Sequence, residues 1–256
     1  MNTIFWIISD IWVMTERNIV QYLRLPRLLV FSTIQPLMFL LLFVYVFGGA
    51  INVPGSNYMN FLVPGILIQT VLFGSIQTGV GLADDLSHGM IDRFRTLPMA
   101  RSAVLAGRTI SDMLRNIFVV FLMTGAALLI GFRFQGDFSA ALGAIVLAIL
   151  FGFSFSWISA TIGLSVKNPE ATQVASFIWV FPLAFTSSIF VPIETMPKIL
   201  EFIARYSPIT ITVNAARALA LNQPASEWVW KSLLWIAGIL VVFVPLSVSL
   251  YRKQDR

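Results

Sequence analysis

Between Leu28 and Ala83 the chain carries no Asp, Glu, Lys, Arg or His, a run of 56 residues (28 to 83 inclusive) that ends abruptly at Asp84-Asp85. No single helix of a water-soluble domain is that long and that free of charge. The segment from Gly48 to Asn57, rich in Gly, Pro and Asn, divides the run into two lengths. Each is able to cross a hydrocarbon core, which takes roughly 20 apolar residues. The pattern reads as span, short turn, span, and then a charged loop confined to one side of a bilayer.

The rest of the chain agrees. It is 57% hydrophobic and 11% charged, with mean hydropathy +0.84. Its 256 residues accommodate about six spans with short connections and no sizeable soluble domain. The net charge of +5 is explained by basic inner loops of a membrane protein, not by nucleic acid. With no cysteine and one histidine, thiol chemistry, disulfides and histidine-rich metal clusters are excluded. The opening MNTIFWIISDIW lacks a basic leader and a small-residue cleavage site, so no cleavable signal peptide is expected.

The predicted fold is an all-α integral membrane domain. Residues 1–24 form an amphipathic interface helix with Phe5, Ile8, Trp12, Ile19 and Leu23 near one stripe and Asp10, Arg17, Gln21 and Arg24 on the other. This helix reads either as an anchor or as a docking element. Six transmembrane helices follow, near Leu28–Phe47, Phe61–Ala83, Asn116–Phe132, Phe138–Val166, Ala171–Val191 and Ser232–Tyr251. The third extends back towards Val104, with Arg108, Asp112 and Arg115 on one face, pairing locally or snorkelling to the headgroups. The domain thus divides into spans one and two (28–83), a loop (84–103), spans three to five (104–191), an outer re-entrant helical hairpin (192–231) and span six (232–251). The hairpin's two apolar segments, on either side of Ser207-Pro208, are each too short to span. With the N-terminus inside, 12 of the 17 Lys and Arg residues are cytoplasmic, which places both termini and the Asp84–Arg101 loop there.

The six apolar cores hold no ionisable side chain, whereas proton-coupled pumps need a group that changes charge at bilayer depth. A sodium site built from helix carbonyls stays open. There is no GxxxxGK[ST] for ATP and no HExxH. The chain is therefore not expected to be an enzyme, and the energy for any active transport comes from another polypeptide. The loop offers the mechanical input: Asp84, Asp85, Leu86, Gly89, Met90, Asp92, Arg93, Phe94 and Arg95, with Leu86, Met90 and Phe94 at intervals of four. A short helix here would present an apolar ridge to a groove on a soluble partner; the alternative is a solvated inner loop.

The run HGMIDRFRTLPMARSAVLAGRTISDMLRN (His88 to Asn116) resembles type-2 ABC exporter permeases of the daunorubicin-resistance-type branch, through Gly89, Arg93, Leu97, Pro98, Arg101, Gly107 and Arg108. Leu62-Val63-Pro64-Gly65, Ser188 to Pro192 and Met196-Pro197 match as well, so the likeness covers nearly the whole chain. The resemblance implies a plasma-membrane half-transporter that pairs with a second permease chain, identical or paralogous. Each chain docks an ABC ATP-binding subunit, which holds the ATP and Mg; this chain has no cofactor of its own. It also implies that the loop is a coupling helix and that the N-terminal helix, with Arg17, touches the motor subunit. The implied cargo is a hydrophobic or amphipathic drug or lipid. A polysaccharide or glycolipid permease of the same family, or an ion-coupled or passive transporter, is the alternative.

A substrate path in such a permease would draw on Gln69, Phe73 and Gln77 in span two, Gln35 in span one, and Trp179, Phe181, Phe185 and Ser188 about Pro182 in span five. The same polar residues would also serve as glue between helices. Glu194, Glu201, Arg205 and Arg217 in the hairpin either keep it wet or gate the outer end.

Overall fold

A computed structural model describes residues 3–24, 26–49, 51, 57–90 and 101–253. Among these, regular structure is helical throughout. The order is α1 (Thr3–Arg24), α2 (Pro26–Leu42), which continues as a π-helical turn (Phe43–Phe47), α3 (Tyr58–Ser87), α4 (Arg101–Leu129), α5 (Phe138–Val166) and α6 (Pro169–Phe185). A 3-10 turn (Ile193–Thr195) leads to α7 (Lys198–Tyr206), α8 (Pro208–Ala220) and α9 (Ser226–Lys253).

Among the described residues, four helices are long and apolar enough to cross a membrane: Tyr58–Ser87, Ala103–Leu129, Phe138–Val166 and Ser226–Lys253. The other two expected spans correspond to Pro26–Phe47 and Pro169–Phe185, both shorter or interrupted. Helix boundaries follow local chemistry. Asn168 accepts from the Ala171 backbone N–H at 2.8 Å and Ser207 from that of Ile209 at 3.3 Å, each followed by a proline at the first helical position. Lys167 closes α5 in the left-handed region at φ 61, so only Lys167 and Asn168 separate α5 from α6. The fifth apolar stretch ends as a helix at Phe185, short of Val191, in a run of turns beyond Pro182.

The centre of the bundle is α3. Leu62, Ile66, Ile68, Val71, Leu72 and Ile76 are among its fully buried side chains. Against it lies the small-residue face of α5. A Cβ on Gly152 would sit 2.6 Å from that of Val71, and one on Gly163 would collide with the Gly79 carbonyl. The two backbones touch, and only glycine permits it.

Two parts differ from the expected layout. Helix α1 lies on the first half of α4, where a Cβ on Gly107 would be 2.5 Å from Met14 Cβ. Met14, Thr15, Asn18 and Tyr22 are buried in this contact, whereas Ile8 and Trp12 of the apolar stripe are exposed. The helix therefore packs inward through Met14, Thr15, Asn18 and Tyr22 and leaves Ile8 and Trp12 uncovered. In the segment after α6, α8 is part of the core through Ile209, Val213 and Ala216, while α7 leaves Ile199, Phe202 and Tyr206 exposed.

Candidate functional site

Three groups of predicted residues take definite positions. At the Ser87 end of α3, Asp84 and Asp85 belong to the last turn of that helix and not to a separate one. Arg17 of α1 donates from Nη2 to Asp85 Oδ1 at 3.0 Å, and His88 lies 3.3 Å from Asp84. Gly89, at φ +65, stops the helix, because that conformation is costly for a residue with a side chain. Leu86 and Met90 therefore stand on opposite sides of a turn, and the expected continuous ridge is broken between them. Asp92, Arg93, Phe94 and Arg95 lie outside the described residues.

Beside this end is a groove of about 660 Å³ bounded by α1, α2, α3, α4 and the start of α6. It brings Gln35 of α2 together with Phe73 and Gln77 of α3. Gln69, by contrast, is buried away from the groove lining, with its Oε1 unpaired. Trp179 stacks on Phe155 at 5.9 Å, a packing contact inside the bundle. Phe181 and Phe185 stack on each other at 4.3 Å, and Phe185 continues to Phe190 at 4.9 Å. Phe190 in turn lies 4.4 Å from Phe43. This aromatic column joins the π-helical turn to the end of α6.

The groove floor holds a feature the sequence reading placed at the headgroups. Asp112 is fully buried and is shared by Arg108, Nε to Oδ2 at 3.2 Å, and by Arg115, Nη1 to Oδ1 at 3.1 Å. Tyr22 of α1 donates its hydroxyl to the same Oδ1. Arg108 also donates to the Gln77 carbonyl at 3.3 Å and Arg115 to that of Gly74 at 2.7 Å. Room for the Arg108 guanidinium exists because Gly81 has no Cβ, and Gly74 similarly admits Asn116. The spacing of Arg108, Asp112 and Arg115 was legible as a local ion cluster; its burial beneath α1 was not. The signal for that burial is Gly107, whose bare backbone lets α1 close over the cluster. Ionisable groups thus do lie within a spanning helix, but both oxygens of Asp112 are engaged.

At the opposite end, Arg217 is a staple. Its Nε donates to the Phe61 carbonyl at 3.0 Å, Nη2 to the Ser188 carbonyl at 2.8 Å and Nη1 to Asn214 Oδ1 at 2.8 Å. The guanidinium lies 3.6 Å from the Phe61 ring centre. Ser188 donates to Asn214 at 2.9 Å within the same knot. Glu201 and Arg205 pair locally along α7 at 2.5 Å, and Glu194 is exposed on the 3-10 turn. The four hairpin charges are therefore not one cluster.

Buried arginines on helix carbonyls, a groove with polar and apolar walls at one end, and helix α1 tied to that end through Arg17 suit a membrane permease. The sequence matches the ABC-2 type transporter family over residues 9–221, and the chain belongs to that family, as a type-2 ABC permease of its drug-resistance branch. It is 38% identical over 240 residues to the daunorubicin resistance ABC transporter permease protein DrrB1 of Streptomyces coeruleorubidus, covering 93% of this chain and 84% of that one. A probable doxorubicin resistance ABC transporter permease protein DrrC of Mycobacterium tuberculosis is 23% identical over 94% of this chain and 87% of its own. The putative transport permease ycf38 of Cyanophora paradoxa is 26% identical, with 98% and 90% covered.

Proposed function

We propose that this chain is the membrane half of an ATP-driven exporter that moves amphipathic drugs or lipids out of the cytoplasm or the inner leaflet. It is non-catalytic. A separate ABC ATP-binding subunit supplies ATP, Mg and hydrolysis, and a second permease chain, identical or paralogous, completes the pore. In this reading the chain crosses the plasma membrane six times with both termini inside. Helix α1 lies on the inner surface, and α7–α8 forms an outer re-entrant hairpin. Residues 84–95 with Arg17 receive the push of the motor.

The observation that carries this reading is the Arg17–Asp85 pair. It joins α1 to the end of α3, next to the loop that the family resemblance reads as a coupling helix. Movement of that end would reach the groove through α3, since Gln77 and Asp84 lie on the same helix. A polysaccharide or glycolipid cargo would use the same machinery. A proton-driven carrier is disfavoured because Asp112 has no free oxygen. Co-purification tests the proposal: an ATP-binding protein is expected to come down with this chain and to be released by Phe94→Ala. Uphill transport by the chain alone in proteoliposomes, without nucleotide, would overturn it.

A further inference from the structure

Resting on the permease reading, we infer that α7 is a lipid-contact helix. It lies in the headgroup layer at the end of the bundle away from Asp85, with Ile199, Phe202, Ile203 and Tyr206 turned into the acyl chains. The sides of this short helix meet three different surroundings. Ala204 is its one buried residue, on the side that rests against the protein. Lys198, Glu201 and Arg205 gather on a second side, where Glu201 and Arg205 pair at 2.5 Å. Ile199, Phe202, Ile203 and Tyr206 make a third, each between 48% and 76% exposed. At 3.6 residues per turn, Ile203 stands opposite Arg205. The Phe202 and Tyr206 rings meet edge to face at 5.2 Å, so this side is a continuous apolar surface. A patch of that kind, rimmed by charge, marks an interaction surface.

The neighbours of α7 fix its depth and point to lipid. Only Ser207 separates it from α8, and α8 is bound near its start to the ends of two spans. Thr210 Oγ accepts from the Ser188 backbone N–H at 3.2 Å, just beyond the end of α6 at Phe185. The Thr212 hydroxyl lies 2.8 Å from that of Ser232 in α9. Immediately before Ser232, α9 carries the marks of a membrane boundary: an exposed Trp230, Trp228 with Lys231 Nζ 5.5 Å from its ring centre, and the Glu227–Lys231 pair. The junction of α7 and α8 is level with that boundary, the layer where an amphipathic helix edged by a tyrosine is stable. Of the hairpin's two limbs, α8 enters the core through Ile209 and Val213, and α7 is left to the lipid. A second copy of the chain would need roughly 20–30 residues a side for a stable contact, and α7 offers one face of a nine-residue helix.

The chain has no cysteine, so a single introduced cysteine reports one site. Nitroxide labels are placed on Ile199→Cys, Ile203→Cys and Arg205→Cys of the full chain in phosphatidylcholine vesicles. Each is scored by collision with oxygen, which concentrates among acyl chains, and with a water-soluble nickel chelate. The labels at 199 and 203 should meet oxygen in preference to nickel and lie roughly 10 Å deeper than the label at 205, one helix diameter. Preference for nickel at all three positions would overturn the inference. Shielding of 199 and 203 from both colliders would overturn it as well, since that is the mark of a protein cover such as a second copy. All three side chains are exposed, so none of the replacements opens the core. If Arg205→Cys loosens the helix by breaking its pair with Glu201, Lys198→Cys reads the polar side instead. The measurement needs no ATPase, so its failure leaves the permease reading standing, and failure of the co-purification test leaves the depth result standing.

Discussion

Arg17 on α1 and Asp85 in the last turn of α3 are joined by one hydrogen-bonded ion pair of 3.0 Å across 68 positions of sequence. The Arg17 side chain is 31% exposed and that of Asp85 11%, so the pair adds only about 0–1 kcal/mol to stability. Its value lies in register between two helices. Arg17→Glu should leave membrane insertion and melting temperature nearly unchanged while lowering nucleotide-driven export at least about fivefold, the low end of coupling between sites. The charge swap Arg17→Asp with Asp85→Arg should recover part of that export in a cell-based efflux assay.

Gly107 allows α1 to sit on α4. Gly107→Val should force the helices apart and cost about 1–3 kcal/mol, as overpacking does. Limited proteolysis should then cut α1 sooner than α9.

Asp112 is the one carboxylate paired with both Arg108 and Arg115. Asp112→Asn leaves both buried without a counter-ion and should cost about 3–5 kcal/mol, read as a lower melting temperature in detergent. Arg108→Met should cost clearly less, since Arg115 still balances Asp112. Equal losses in the two variants would contradict the shared-carboxylate arrangement.

Tyr22 titrates late. Burial first, and the Asp112 charge second, push its hydroxyl up from 10.0 to about 12. The folded chain holds that proton more tightly than the unfolded chain does. The contribution is therefore complete below pH 10 and is lost as pH rises through about 12. Tyr22→Phe removes this proton. Its melting temperature should fall less steeply than that of the wild type across this window, measured at fixed detergent and salt.

Much of this fold is legible in the chain itself, because lipid forces apolar length and basic asymmetry into the sequence. Span four was read as Phe138–Val166 and is a helix over those residues. The glycines of its small face do meet α3. Ends were less legible. α3 runs on through Asp84–Ser87, since charged side chains at a membrane surface do not stop a helix, whereas a left-handed Gly89 does. The inward face of α1 was also hidden. Hydrophobic periodicity singles out Ile8 and Trp12 but cannot say whether lipid or protein covers them. Here protein takes Met14 and Tyr22 instead. Of the proposed path residues, Gln35, Phe73 and Gln77 converge and Gln69 does not. Which side of a helix turns to a neighbour depends on glycine positions far away in sequence.

The meeting of α3 and α5 at Gly79 and Gly163 has a mechanical consequence. Main chain resting on main chain has no side-chain rotamers to give way, so these two helices cannot slide or twist past each other by small steps. With α6 tied to α5 by only Lys167 and Asn168, all three travel as one stiff block. Any alternation between inward and outward states has to be a swing of that block against its surroundings, with left-handed Gly89 marking where the block ends beyond α3.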